Sequence, residues 1–160
     1  MISVNIICVG RLKEKYWTAA CDEYAKRLKG FCNFSIIEVD EERLGDMPSD
    51  AQILSTLEKE GKRILSKVPK GAKIISMCIE GKQKSSEKLA AELDRLAVDG
   101  CSSIAFIIGG SWGLSDEVKN ASYLLLIRFR NSRLLQRLHP IASHFRKLFH
   151  VSFLNRIRWW

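Results

Sequence analysis

Residues 103–114 read SIAFIIGGSWGL. Ile104 to Ile108 form an unbroken apolar run without the alternation of a half-exposed strand, which suits a parallel strand covered by helices on both faces. The run breaks at Gly109, Gly110, Ser111, Trp112 and Gly113, and Ser115-Asp116-Glu117 then has the composition of a helix start. A strand, a glycine turn and a helix in that order constrain the chain more than any other segment. Open α/β sheets hold their ligands outside the carboxyl ends of such strands. Gly109, Gly110 and Gly113 carry no side chain that would keep a bound molecule from the backbone. The spacing is not GxGxxG, so no dinucleotide fingerprint follows, and a glycine pair taken alone is explained by a plain tight β-to-α turn.

The same alternation runs through the rest of the chain. Ser3 to Gly10 reads as a strand and leads to a helix over about residues 14–29, where Trp17, Cys21, Tyr24 and Leu28 recur at helical spacing and face a core. Asn33 to Asp40 is a second strand, followed by an acidic loop to Pro48. Ser49 and Gln52 have capping-box spacing for a helix ending near Val68, with Ile53, Leu54, Leu57, Ile64, Leu65 and Val68 in helical period. Pro69-Lys70-Gly71 stops it. Lys73 to Glu80 is a third strand, Ser85 caps a helix carrying Leu89, Leu93 and Leu96 on one face, and Gly100 ends that helix before the 103–108 strand. Val118 to Ser122 completes a short helix, Tyr123 to Phe129 reads as a fifth strand, and Leu134 to Leu148 as a basic helix. The fold class predicted is α/β, a mostly parallel sheet with helices on both faces. With 160 residues, no internal repeat and no dividing linker, residues 1–160 are expected to form a single domain.

Cysteines, hydropathy and charge narrow the function classes. The five cysteines, Cys8, Cys21, Cys32, Cys78 and Cys101, are odd in number and include no CxxC pair, so they read as small buried hydrophobes in a reducing compartment, and no metal is expected. No apolar stretch approaches the roughly 20 residues of a membrane span, which argues against a membrane protein. Net charge is +8, yet residues 1–120 hold 18 Lys+Arg against 18 Asp+Glu. The whole excess lies in residues 121–160, with Arg128, Arg130, Arg133, Arg137, Arg146, Lys147, Arg156 and Arg158 and no acid. All three histidines lie there too, and no glycine follows Gly113.

Six collinear segments carry a resemblance: GRLKEKYW (10–17), DEYAKRL (22–28), IIEVDEE (36–42), KEGKRIL (59–65), IEGKQKSSEKLAAEL (79–93) and FIIGGSWGLSDEV (106–118). In order and spacing they resemble the bacterial 23S rRNA pseudouridine N3-methyltransferases of the SPOUT, or α/β-knot, superfamily. The resemblance implies a homodimeric, cytoplasmic enzyme with a C-terminal trefoil knot that cradles S-adenosylmethionine and methylates N3 of a pseudouridine in 23S rRNA of the assembled ribosome. It also implies that Met77, at the end of the third strand, lies against the adenine, and that the backbone at Gly109 and Gly110 approaches the cofactor. The generic reading of Met77 is a core methionine.

The resemblance covers about residues 1–120, and residues 121–160 form a divergent basic tail. The family's Thr-Phe-Pro-His-Gln loop, Tyr-Arg-Ala helix and terminal Tyr-His pair have no counterpart in register within YLLLIRFRNSRLLQRLHPIASHFRKLFHVSFLNRIRWW. A tail that grips rRNA phosphates is one explanation. Loss of the reading frame near residue 121 is the favoured one, because it accounts together for the absence of Asp, Glu and Gly and for the loss of every family motif at one boundary. The alternative function is then a non-catalytic RNA-binding protein, or an inactive remnant with a disrupted cofactor loop.

Arg11 and Lys13, after the first strand, and Lys82, after the third, are candidate rRNA phosphate contacts, with Lys84 beside them; each also reads as an ordinary solvated cation. Trp112 is a candidate for base stacking or dimer packing, and packing is favoured. Arg128, Arg130 and Arg133 are the nearest cations for stabilising a deprotonated uracil ring, but no motif selects them, and no catalytic residue is assigned. Trp159-Trp160 either dock on an apolar patch or favour association.

Overall fold

A computed structural model describes residues 1–127 of the chain. The basic helix expected over 134–148, the end of the fifth strand, Arg128, Arg130, Arg133, Trp159-Trp160 and any threaded crossing fall outside the described residues.

The elements alternate as β1 (Ser3–Val9), α1 (Lys15–Leu28), β2 (Asn33–Val39), α2 (Asp50–Lys67), β3 (Lys73–Cys78), α3 (Ser86–Val98), β4 (Ser103–Ile108), α4 (Asp116–Asn120) and β5 (Leu124–Ile127). They form a five-stranded sheet in the order β2-β1-β4-β3-β5. Every adjacent pair is parallel, with Ile6 opposite Ile36 and Phe106, and Met77 opposite Ile108 and Leu126. The α/β class and the parallel sheet are as the sequence predicts. β3 is shorter than expected, because Ile79 and Glu80 turn out of the sheet.

Two apolar layers flank the sheet. On one face Val4, Ile6, Cys8, Ile75, Met77, Ile104, Phe106 and Ile108 meet Cys21 and Leu28 of α1 and Leu89, Leu93 and Leu96 of α3. On the other, Ile7, Val9, Val39, Ile74, Ala105 and Ile107 meet Ile64 of α2 and Val118 of α4. β4 contributes side chains to both layers, and Ala105 and Ile107 are fully buried. Each buried isoleucine is worth about 1.5–3 kcal/mol relative to an exposed one.

Local chemistry sets the helix starts. Ser49 and Gln52 form the full capping box of α2, Ser85 Oγ accepts the Lys88 amide of α3, and Ser115 Oγ accepts the Val118 amide of α4. α1 departs from the expected stripe in degree: Cys21 and Leu28 are buried, whereas Trp17 and Tyr24 are half-buried. α2 departs in kind. Leu54 is exposed, and the helix turns Thr56, Glu60 and Gly61 inward together with Ile64. Gly61 is there because α4 packs close: a Cβ at position 61 would overlap Ser115 Oγ and press on Val118.

We expect Gly61→Ala to displace the α4 cap and to destabilise the protein by about 1–3 kcal/mol in urea unfolding. Ser115→Gly, which clears the space while leaving an acceptable cap residue, should return part of that loss in the double variant.

Candidate functional site at the carboxyl edge of the sheet

In this strand order the chain leaves β1 toward α1 on one face and leaves β4 toward α4 on the other. The crevice between two such diverging connections is where an open parallel sheet accommodates a ligand. A cleft of about 760 Å³ occupies that position. Its floor is Val9 and Gly10, one wall is Asp40, Glu41 and Arg43 of the loop after β2, and the opposite wall is Gly109, Gly110 and Ser111. Arg11 and Lys13 stand at its edge. Gly10 turns the chain out of β1 with φ +84°, a conformation that glycine adopts without strain.

A second, smaller cavity of about 150 Å³ lies on the other side of the glycine loop. Met77, Cys78, Ile79, Ile108, Trp112 and Leu114 give it apolar walls, and Glu80 and Lys119 a polar rim. The two cavities share Gly109 and Ser111. Met77 and Gly109 thus meet in the small cavity, while Gly110 faces the larger cleft. Met77 is itself a buried core residue between Ile108 and Leu126.

The glycines answer first to the fold. A Cβ at Gly109 would overlap the Gly113 carbonyl as the loop doubles back, and one at Gly110 would stand 3.2 Å from Val9 Cγ1 and 3.4 Å from Glu60 Oε2. Gly113 holds φ +101° with open space beside it. The tight turn therefore requires Gly109 with or without a ligand, whereas at Gly110 the Val9 and Glu60 side chains would have only to give slightly.

Ion pairing sorts the cations. Arg11 is shared between Glu38 at 3.8 Å and Asp40 at 3.3 Å. Lys84 is half-buried on Glu92 at 3.1 Å, so its charge is already committed. Lys82 is exposed but lines neither cavity; its amide donates to the Leu125 carbonyl at 2.9 Å and fixes the start of that loop against β5. Lys119 bridges Glu80 at 2.8 Å and Asp116 at 3.5 Å, and its hydrogen bond holds the Glu80 carboxyl below the usual range. Among the described residues Lys13 and Arg43 have no ion-pair partner. Trp112 is about half exposed at the mouth of the small cavity.

Sequence reasoning missed Arg43, Ser111 and, above all, Glu60. Glu60 is only 4% exposed, on α2 beneath the cleft. Its Oε1 accepts the Glu42 amide at 2.9 Å. Burial pushes the carboxyl above its ordinary range; the Glu42 amide and Arg63 oppose this, and Glu41 and Glu42 reinforce it. The signal was present in the sequence, since Glu60 falls in the stripe Ile53, Leu57, Ile64 that faces inward. The cysteines are all free, four of them buried, and burial pushes the Cys8 thiol up to about 12, which makes it inert. Among the described residues no three His, Cys, Asp or Glu side chains group as metal ligands, and no helix is long and apolar enough to cross a membrane.

Because the folded state raises the Glu60 pKa, this carboxyl favours the folded state fully only below the ordinary carboxyl range, and that contribution is lost as pH rises through the folded value. Glu60→Gln keeps the acceptor and removes the charge. Its melting temperature relative to the parent should therefore rise as the pH is taken upward from the ordinary carboxyl range; a constant difference would show that Glu60 does not titrate in this way.

The family model described as "Predicted SPOUT methyltransferase" matches residues 2–129, a span that includes every described element. Proteins named ribosomal RNA large subunit methyltransferase H from Listeria welshimeri and Listeria monocytogenes are each 46% identical to this chain over 121 residues, 76% of either chain. The protein of that name from Bacillus cereus is 47% identical over the same length. With its parallel sheet, its glycine turn after β4 and a sequence match through every described element, this chain belongs to the SPOUT methyltransferases, in the family of those large-subunit enzymes.

Proposed function

We propose that the chain is an S-adenosylmethionine-dependent methyltransferase acting on N3 of a pseudouridine in 23S rRNA, a cytoplasmic homodimer that works on the assembled ribosome, with residues 1–160 as one domain. The observation that carries the reading is the pair of cavities meeting at Gly109 and Ser111, one apolar and one flanked by unpaired cations.

The small cavity has the chemistry of a nucleoside seat. Met77, Ile108 and Leu114 offer apolar surface to a flat base, the Gly109 backbone offers main-chain groups with Gly110 next to it on the cleft side, and Glu80 an ionised acceptor for hydroxyls. Its 150 Å³ is below the roughly 300 Å³ of a complete small-molecule site, so the described residues supply one wall of it. When bound, the sulfonium donor supplies an electrophilic methyl group. The cleft then takes the RNA side, with Lys13, Arg43 and Arg11 against phosphate, and with these cations favouring the ring anion left when the N3 proton departs. Lys82, on the far side of β5, is an outlying phosphate contact. No side chain is assigned as the base.

A second reading is favoured by one observation. The family match stops at residue 129, and acids and glycines vanish from residue 121 onward, as they would in a tail translated out of frame. The chain is then a non-catalytic RNA-binding remnant.

Calorimetric titration of the full chain separates the two. Saturable heat at micromolar S-adenosylmethionine supports the enzyme, and none at millimolar ligand leaves the remnant. Under either reading Lys13→Ala and Arg43→Ala should each weaken RNA binding and lower the slope of log affinity against log salt by about one unit. An unchanged slope removes the cleft from the RNA interface. Translating the coding DNA in its other frames past residue 121 tests the frame-loss account directly.

A further inference from the structure

Three features stand out besides the two cavities themselves: the exposed surfaces of Ile79 and Trp112 at the edge of the small one, the Glu92 cluster with Lys84, Arg95 and Tyr123, and the buried Glu60. Nothing in the structure shows what covers the first. The second has its hydrogen bonds satisfied internally at 2.6–3.1 Å.

Glu60 is different. One of its oxygens is used and the other faces a functional loop without a donor. Oε1 accepts the Glu42 amide of the loop after β2, and Oε2 lies 3.4 Å from the point where a side chain at Gly110 would begin. Among the described residues no hydrogen-bond donor reaches Oε2. The carboxyl thus holds one wall of the cleft and lies close under the other, beside Val9. One turn along α2, Arg63 donates to the Asp40 carbonyl at 3.1 Å and pairs with Glu42, bracing the same wall. Above, Ser111 Oγ donates to Glu41 Oε1 at 3.3 Å and ties wall to wall. An unpaired carboxyl oxygen in a buried position is costly unless the structure uses it.

We propose that Glu60 is a positioning residue for the cleft: it ties the loop after β2 to α2 while buttressing Gly110, and so sets the gap between the two walls. It deepens the reading of the cleft as the RNA side, but its structural consequence stands apart from that reading. A carboxamide at position 60 preserves the tie; an apolar side chain of similar length fills the space and loses it. The charged and titratable groups around the carboxyl are Glu41 and Glu42 of the facing loop and Arg63 of α2; β1 and β4 present only Val9 and the glycine loop.

Hydrogen exchange of the full chain, read by mass spectrometry, is the test. In Glu60→Met, exchange should rise at least about tenfold both at residues 40–43 and at residues 109–113, while in Glu60→Gln it stays within about twofold of the parent. Glu60→Asp keeps the charge, shortens the reach and should release the same two segments, which covers the case in which the methionine variant does not fold. Unchanged exchange, a rise confined to one loop, or a Gln variant that behaves like Met overturns the proposal. The second readout is an affinity split: Glu60→Met should lose at least about fivefold for oligouridylate RNA at fixed salt while S-adenosylmethionine affinity stays within about twofold. Equal loss for both ligands marks a general structural role and also overturns it. If the parent itself binds no RNA, the RNA reading falls, and the exchange data decide the role of Glu60 alone.

Discussion

The burial of β4 on both faces governs the architecture. Ile104, Phe106 and Ile108 point into one apolar layer and Ala105 and Ile107 into the other, so a strand without a polar face must lie inside the sheet with helices above and below it. Parallel neighbours on both sides then demand crossover connections through those helices. The carboxyl ends of β1 and β4 are brought side by side, and their outgoing chains part toward opposite faces. The crevice follows from that parting.

The edge of the site is built from the helix beneath it. α2 turns Thr56, Glu60 and Gly61 inward where an ordinary amphipathic helix would place aliphatic side chains. Gly61 lets α4 approach, which fixes the direction in which the chain leaves the glycine turn. Glu60 and Arg63 hold the acidic loop, one from inside and one from the surface. A buried carboxyl costs stability compared with a leucine in the same place. Its hydrogen bond to one side of the cleft and its place beneath the other are what the fold receives in exchange.

The electrostatics of the site come from pairing and owe little to net charge. Through residue 127 the chain carries equal numbers of acids and bases. Arg11, Arg63, Lys84, Arg95 and Lys119 each sit on a carboxylate. Lys13 and Arg43 do not, and both stand on the cleft. The cleft thus presents two cations without an ion-pair partner beside Asp40 and Glu41, on a body whose charges balance.

Much of this was legible in the sequence. The alternation of strands and helices, the caps at Ser49, Ser85 and Ser115 and the inner position of β4 are encoded by sterics, short-range hydrogen bonds and hydrophobic period, all of which act within a few residues. The six collinear segments carried the family. Which strands pair, that Gly10, Arg43 and Gly110 surround one cleft, that Met77 and Gly110 face different cavities, and that Leu54 is exposed while Glu60 is buried were decided only by the tertiary structure. Those outcomes depend on how the whole chain divides its apolar surface between two layers, a sum over residues as far apart as Val4 and Leu126 that no local window contains.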